Sequence, residues 1–229
     1  MRKAWTLAAA SLLLAGLAGG AESWVEVRSP NFAVVSNAGE GTARQTAWEF
    51  EQVRAAYARL WPWAKLAGGR ATVVLALKDE KSLAQWAPEY FEAKGGIRIV
   101  SVSTHGADTD YLLLRPGVRT DSPAVVANYN LYRAYLSSLL AVSLERPLPV
   151  WLSNGLAAVF GNTSVRDDEV QVGRPVPWHL QRFNDRVRVP LRALLEAQPG
   201  SDLVLKDGQR EAFDAGCWVL VHYLTFADN

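Results

Sequence analysis

The chain has 229 residues, 49% of them hydrophobic and 21% charged, with 24 lysines and arginines against 23 aspartates and glutamates. That length and balance suit one substantial core, and they exclude a disordered chain. With near-neutral charge and no basic block, nucleic acid is not an expected partner.

Residues 1–21, "MRKAWTLAAASLLLAGLAGGA", place Arg2 and Lys3 before an apolar run and end in small residues. This order predicts a secretory signal peptide cleaved after Ala21, and hence an exported protein, periplasmic or extracellular. A short N-terminal anchor is the alternative, but the run is shorter than the about 20 residues a spanning helix needs. No later stretch predicts a membrane span. Cys217 is the only cysteine, so an internal disulfide is excluded and stability must come from packing.

"SWVEVRSPNFAVVSN" alternates apolar positions around Ser29-Pro30-Asn31 and predicts a β-hairpin. Ala43, Ala47, Phe50, Val53, Tyr57 and Leu60 recur at helical spacing and predict an amphipathic helix that stops near Trp61-Pro62-Trp63. Of the nine tryptophans, Trp61 and Trp63 form the expected exposed pair. "ATVVLALKD" predicts a buried strand with a helical turn after it through Leu83 and Trp86. "GGIRIVSVSTHG" and "TDYLLLRPG" predict two more strands about a polar turn holding His105, Gly106 and Asp110.

From Ser122 to Leu144 there are too many apolar positions for a single-stripe surface helix, which predicts a central helix. Pro147-Leu148-Pro149 breaks it, and a second helix is expected from Val150 to about Phe160, with Ser153 and Asn154 as capping residues at its start. "EVQVGRP" predicts a short strand, "PLRALLEA" a helix, and Phe213 to Phe226 a final apolar helix.

Four of these pieces, "SWVEVRSPNFAVVSNAGEGTARQTAWEFEQVR", "LPVWLSNGLAAVFGNT", "VQVGRPVPWHL" and "FDAGCWVLVHYL", resemble the peptidase MA-like domain of exported bacterial proteins, a gluzincin-type relative of unknown function. The resemblance implies an α+β, zincin-like fold over residues 22–229: an N-terminal mixed β-sheet with a packed helix, about 22–120, then a mainly helical half, about 121–229, around a buried central helix.

In active gluzincins, a His-Glu-x-x-His helix supplies two zinc ligands and a general base, and the next helix supplies a glutamate. Trp151, Leu152, Gly155, Leu156 and Ala157 match that second helix, but Asn154 stands at the glutamate. The first motif falls near Leu131, Tyr132 and Tyr135, and no histidine lies between Gly106 and Trp178. The resemblance is therefore to a degenerate form with no cofactor, although zinc is expected in active relatives.

His105, His179 and His222 are read as structural. A serine-nucleophile reading of Ser153-Asn154-Gly155 fails for want of Gly-x-Ser-x-Gly. Tyr129, Arg133 and Trp151 are candidates for a groove, against a core reading of the aromatic stripe. "NTS" at Asn162 matches a glycosylation acceptor, a motif that often occurs by chance, and Arg166 to Glu169 is a charged cluster expected to face solvent.

The expected function is a non-catalytic binding or scaffolding module, its partner an extended polypeptide or another envelope protein. The alternatives are a metallopeptidase or other hydrolase with a rebuilt site, and a structural N-terminal domain of a longer protein with helical repeats.

Overall fold

A computed structural model describes residues 22–64, 66, 70–91, 100–118, 124–167, 169–185 and 188–227. The signal-peptide expectation, the first half of "GGIRIVSVSTHG" and Ser122 lie outside the described residues. The chain forms two compact units, the first running to Trp63 and resuming for Gly68–Val118, the second comprising Ala64–Ala67 and the chain from Arg119 onward.

The first unit carries β1 (Val25–Arg28), β2 (Phe32–Ser36), α1 (Glu40–Leu60), β3 (Ala71–Ala76), α2 (Glu80–Trp86), β4 (Ser101–His105) and β5 (Thr109–Leu114). The strands make one mixed sheet in the order β1-β2-β3-β5-β4, with β2, β3 and β5 parallel and both edges antiparallel. A parallel β2–β3 pair needs a crossover, and α1 supplies it.

The β1–β2 turn is clamped by that helix. Glu51 accepts from Ser29 Oγ at 2.7 Å, from the Asn31 backbone N–H at 2.8 Å and from Asn31 Nδ2 at 2.7 Å. Strand alternation then sends Phe32, Val34 and Ser36 to one face in register with Thr72, Val74 and Ala76. Phe32 meets Phe50 of α1 with ring centroids 5.3 Å apart, so this is the face the helix covers. On the opposite face Leu75, Val102 and Leu113 join Leu77, Leu83 and Ala87 in a second apolar cluster.

The expected exposed pair at the end of α1 is corrected. Trp61 is buried and stacks on Tyr57 at 5.5 Å, while Trp63 is 55% exposed. The chain leaves α1 with Trp61 still one turn beyond Tyr57, which keeps its ring on the buried stripe.

The second unit carries α3 (Tyr129–Ser143), α4 (Val150–Gly161), β6 (Ser164–Arg166), β7 (Glu169–Gln171), α5 (Pro177–Asn184), α6 (Leu191–Leu195), α7 (Asp202–Leu205) and α8 (Asp207–Phe226). The middle helix α4 packs on both α3 and α8, and α5 packs on α8. Two glycines make those approaches close. A Cβ on Gly155 would stand 2.6 Å from the Cys217 carbonyl oxygen of α8, and one on Gly161 would stand 3.0 Å from the Tyr129 carbonyl oxygen of α3.

Several boundaries differ from the sequence expectation. Helix α3 starts at Tyr129 rather than Ser122, because the segment before it is held in a non-helical path by Asn162. The Asn162 side chain accepts from Val126 N–H at 3.0 Å and donates to the carbonyls of Ala124 at 2.9 Å and Arg174 at 3.0 Å.

Ser153 and Asn154 do not cap α4. The helix starts at Val150, and the Pro149 carbonyl already accepts from Leu152 and Ser153 N–H groups. The last helix starts at Asp207, six residues before Phe213, because its first turns are polar and exposed and so escape an apolar-run reading. The strand expected in "EVQVGRP" is one arm of a hairpin whose first arm, β6, has no strong strand pattern. Arg166, Asp167 and Glu169 sit exposed at its tip, with Asp167 at φ 48 in the left-handed region that a short polar side chain tolerates.

The protein is thus α+β, a mixed five-stranded sheet with helices and a helical unit of six α-helices among the described residues. No helix among them is long and apolar enough to cross a membrane.

Candidate functional site

The expected site positions fall on α3 and α4 of the second unit. Leu131, Tyr132 and Tyr135 are all buried among the core residues of α3. Asn154, on the first turns of α4, points to α8 and its Nδ2 donates to Asp214 Oδ1 at 3.3 Å. Trp151 turns elsewhere, packing on the cluster of Leu194, Ala197, Phe213 and Cys217.

The zinc that the resemblance would place here does not fit these positions. Leu131 offers no donor, the two phenols are closed into the core, and the Asn154 amide is engaged by a carboxylate. Among the described residues no group of three histidine, cysteine, aspartate or glutamate side chains could hold a metal ion.

Each histidine has a local partner. His105 Nδ1 lies 2.9 Å from Asp110 Oδ1 at the β4–β5 turn, where Arg70 Nε approaches the same carboxylate oxygen at 3.2 Å. His222 Nε2 donates to the Gly173 carbonyl at 3.0 Å. His179 of α5 is buried, with Nε2 3.0 Å from the Tyr129 hydroxyl of α3.

His179, hydrogen-bonded to Tyr129, is part of the lining of a polar cavity of about 500 Å³ in the second unit. Arg133, one helical turn after Tyr129, lays its guanidinium over the Tyr129 ring at 5.5 Å. Trp178 stands edge-on to Tyr129 at 5.4 Å and remains 46% exposed. Arg182 of α5 and Glu211 and Asp214 of α8 complete the wall, and Arg182 is bound by both Glu211 and Asp185.

Burial dominates the electrostatics of His179, Tyr129 and Asp214. It pushes His179 down to about 4, with Arg133 adding to the shift, so the imidazole is neutral at pH 7. It pushes the Tyr129 hydroxyl up to about 12, so the phenol keeps its proton. The Asp214 carboxyl is also held above its ordinary range by burial, against the opposing pull of Arg133, Arg210 and Asn154.

Among the described residues the lining contains no serine, threonine or cysteine, and the one hydroxyl beside the histidine is the Tyr129 phenol, which burial keeps protonated. What the arrangement offers is fixed charge, a neutral hydrogen-bonding pair and an aromatic wall. These are the parts of a binding site for a small polar ligand.

Sequence reasoning named Tyr129 and Arg133 but missed His179, Asp214 and Trp178 as their neighbours. The acceptor motif at Asn162 reads as a chance match, and what the sequence does not disclose is that this side chain is fully buried and bonded to backbone. The signal that could have found it is an asparagine just after a helix of apolar residues, a frequent place for amide-to-backbone bonds.

The first unit has a second cavity, about 690 Å³, on the sheet face away from α1, lined by Trp24, Trp86, Tyr111 and aliphatic strand residues. Trp24 and Trp86 meet edge to face at 6.0 Å.

The fold and cavity define the molecule only at the level of an α+β protein with a polar site in its helical unit. In comparisons with known proteins, no family model, no curated protein and no solved structure matches the chain.

Proposed function

We propose that this protein is a non-catalytic binding module, a zincin-like relative without a metal site, exported from the cell. The observation that carries this reading is the engagement of Asn154 by Asp214, 3.3 Å apart, beside a cavity whose lining has charge and hydrogen-bonding groups but, among the described residues, no serine, threonine or cysteine. An aspartate bound to the third-ligand position fills it with an internal contact, and the polar space opens one step away at Arg133 and Trp178. The zincin-like part of the reading rests on the resemblance of the α4 segment "LPVWLSNGLAAVFGNT" and its neighbours.

An extended polypeptide or another envelope protein remains the partner suggested by that resemblance. The cavity has room for a chain end or a small molecule rather than for a long run of chain.

The deciding experiment is elemental analysis of untagged protein dialysed against trace zinc, combined with a peptide-hydrolysis assay with and without chelator. A folded, metal-free protein without hydrolysis is expected. Stoichiometric metal with chelator-sensitive cleavage would overturn the reading in favour of a rebuilt hydrolase.

A further inference from the structure

We propose that the cavity of the helical unit takes a small zwitterion with adjacent carboxylate and ammonium groups, as in a free α-amino acid, held between Arg133 and Asp214. This inference rests on the binding reading of the same cavity and names its ligand class.

The charges of the lining are unevenly paired. Among the described residues the lining has five charged side chains, and three of them, Arg182, Asp185 and Glu211, satisfy one another. Arg182 is bound by Asp185 Oδ2 at 3.2 Å and by Glu211. Arg133, among the described residues, makes no hydrogen bond and no direct ion pair, only its approach to the Tyr129 ring. Asp214 has one weakly placed donor, Asn154 Nδ2 at 3.3 Å, and no direct ion pair among the described residues.

The cavity therefore presents one cation and one anion with unused capacity. The two influence each other's surroundings, since Arg133 lowers the Asp214 carboxyl against the effect of burial, yet they do not close on each other. A ligand of net zero charge bearing both signs completes both at once. An anion alone would leave Asp214 unpaired and be repelled by it, and a cation alone would do the same at Arg133.

The geometry of Arg133 suits this task. Its stem lies over Gly161, where a Cβ would stand 2.4 Å from Arg133 Cγ, so the side chain runs in a slot that a larger residue would fill. A guanidinium so held presents its planar fork with little further loss of rotamer freedom, and that fork matches a carboxylate with two parallel N–H···O bonds. Asp214 supplies acceptor lone pairs for an ammonium. Trp178, half-exposed on the rim, gives an apolar plane for the side chain of the ligand.

The test is calorimetric titration of the whole protein with each common L-amino acid, and with the N-acetyl and carboxamide derivatives of any that bind. A panel of tripeptides serves as comparison. At least one free amino acid is expected to bind with sub-millimolar affinity, with each derivative at least about tenfold weaker, since each removes a charge from one end. Arg133→Met and Asp214→Asn are each expected to lose a similar factor. The derivatives make the test independent of whether those variants fold.

Equal binding of free and blocked amino acids would overturn the zwitterion assignment. Binding of tripeptides alone would also overturn it, while leaving the binding reading of the cavity intact. Absence of binding by every amino acid and peptide would overturn the assignment and remove the support for that reading.

Discussion

Asn154 of α4 and Asp214 of α8 are joined by an amide-to-carboxylate hydrogen bond of 3.3 Å. The amide supplies a donor without a charge, so the part-buried Asp214 keeps one partner without gaining a competing acid. Asn154→Asp would set two carboxylates side by side, where one of them must take up a proton or both must move. Urea unfolding should show a loss of about 1–3 kcal/mol at pH 7 that shrinks as the pH approaches 4. A variant as stable as the parent at both pH values would show that this bond contributes nothing.

Asn162 ties three stretches of backbone together through one buried amide. Asn162→Ala leaves the Val126 N–H and the Ala124 and Arg174 carbonyls without that partner, a loss of about 2–4 kcal/mol at roughly 1–3 kcal/mol for each buried group left unpaired, allowing for relaxation. Chemical denaturation measures it. The same burial forbids the glycosylation that "NTS" suggests, so expression in a host that glycosylates such sites should leave the mass of the folded, secreted protein unchanged.

Glycines 155 and 41 should respond in opposite directions to alanine. A Cβ on Gly155 meets Val221 Cγ2 at 2.4 Å and the Cys217 carbonyl oxygen at 2.6 Å, and the carbonyl belongs to a helix backbone that cannot turn aside. Gly155→Ala should destabilise by about 1–3 kcal/mol through overpacking between α4 and α8. Gly41, in the first turn of α1, meets nothing within 4 Å, so Gly41→Ala should stabilise by up to about 1 kcal/mol through the entropy of the unfolded chain. Melting temperatures of the two variants test both signs.

His179 should make the stability of the protein depend on pH. Its folded value is depressed to about 4 from an ordinary 6.5, so between these limits the unfolded chain binds more protons than the folded one. The stability due to neutral His179 is complete above about pH 6.5 and is lost as the pH falls toward 4. The full difference is on the order of 3 kcal/mol. Unfolding free energies at pH 7 and pH 5 should diverge in the parent, and His179→Gln, which does not titrate, should remove most of that divergence. Parallel pH profiles would show that His179 is not the group responsible.

Local sequence patterns reached a good part of this fold. Alternation in "SWVEVRSPNFAVVSN" foretold β1 and β2 because each strand has one face toward α1 and one away, and the helical recurrence from Ala43 to Tyr57 foretold α1 for the same reason. The apolar density around Leu131 to Leu140 likewise foretold a buried α3, although not its first residue. Elements with little apolar burial left no such trace: α5 buries only His179 and α7 buries no residue, and both were missed. Zincin-likeness belongs to neither kind of pattern and rests on resemblance.

What the sequence by itself determined is therefore the set of buried stripes, and with them the α+β class, because side-chain burial repeats with the period of the local backbone. The tertiary structure alone decided which polar groups meet. Tyr129 and His179 are 50 residues apart, and Asn154 and Asp214 are 60 apart. Trp61 and Trp63 are two residues apart, yet one stacks on Tyr57 and the other faces solvent. Arg182 finds two carboxylates while Arg133, on another helix of the same cavity, finds none close enough to bind. A hydrogen bond or ion pair requires a particular distance and angle between groups, and distant stretches of chain acquire those only when the helices that carry them are packed.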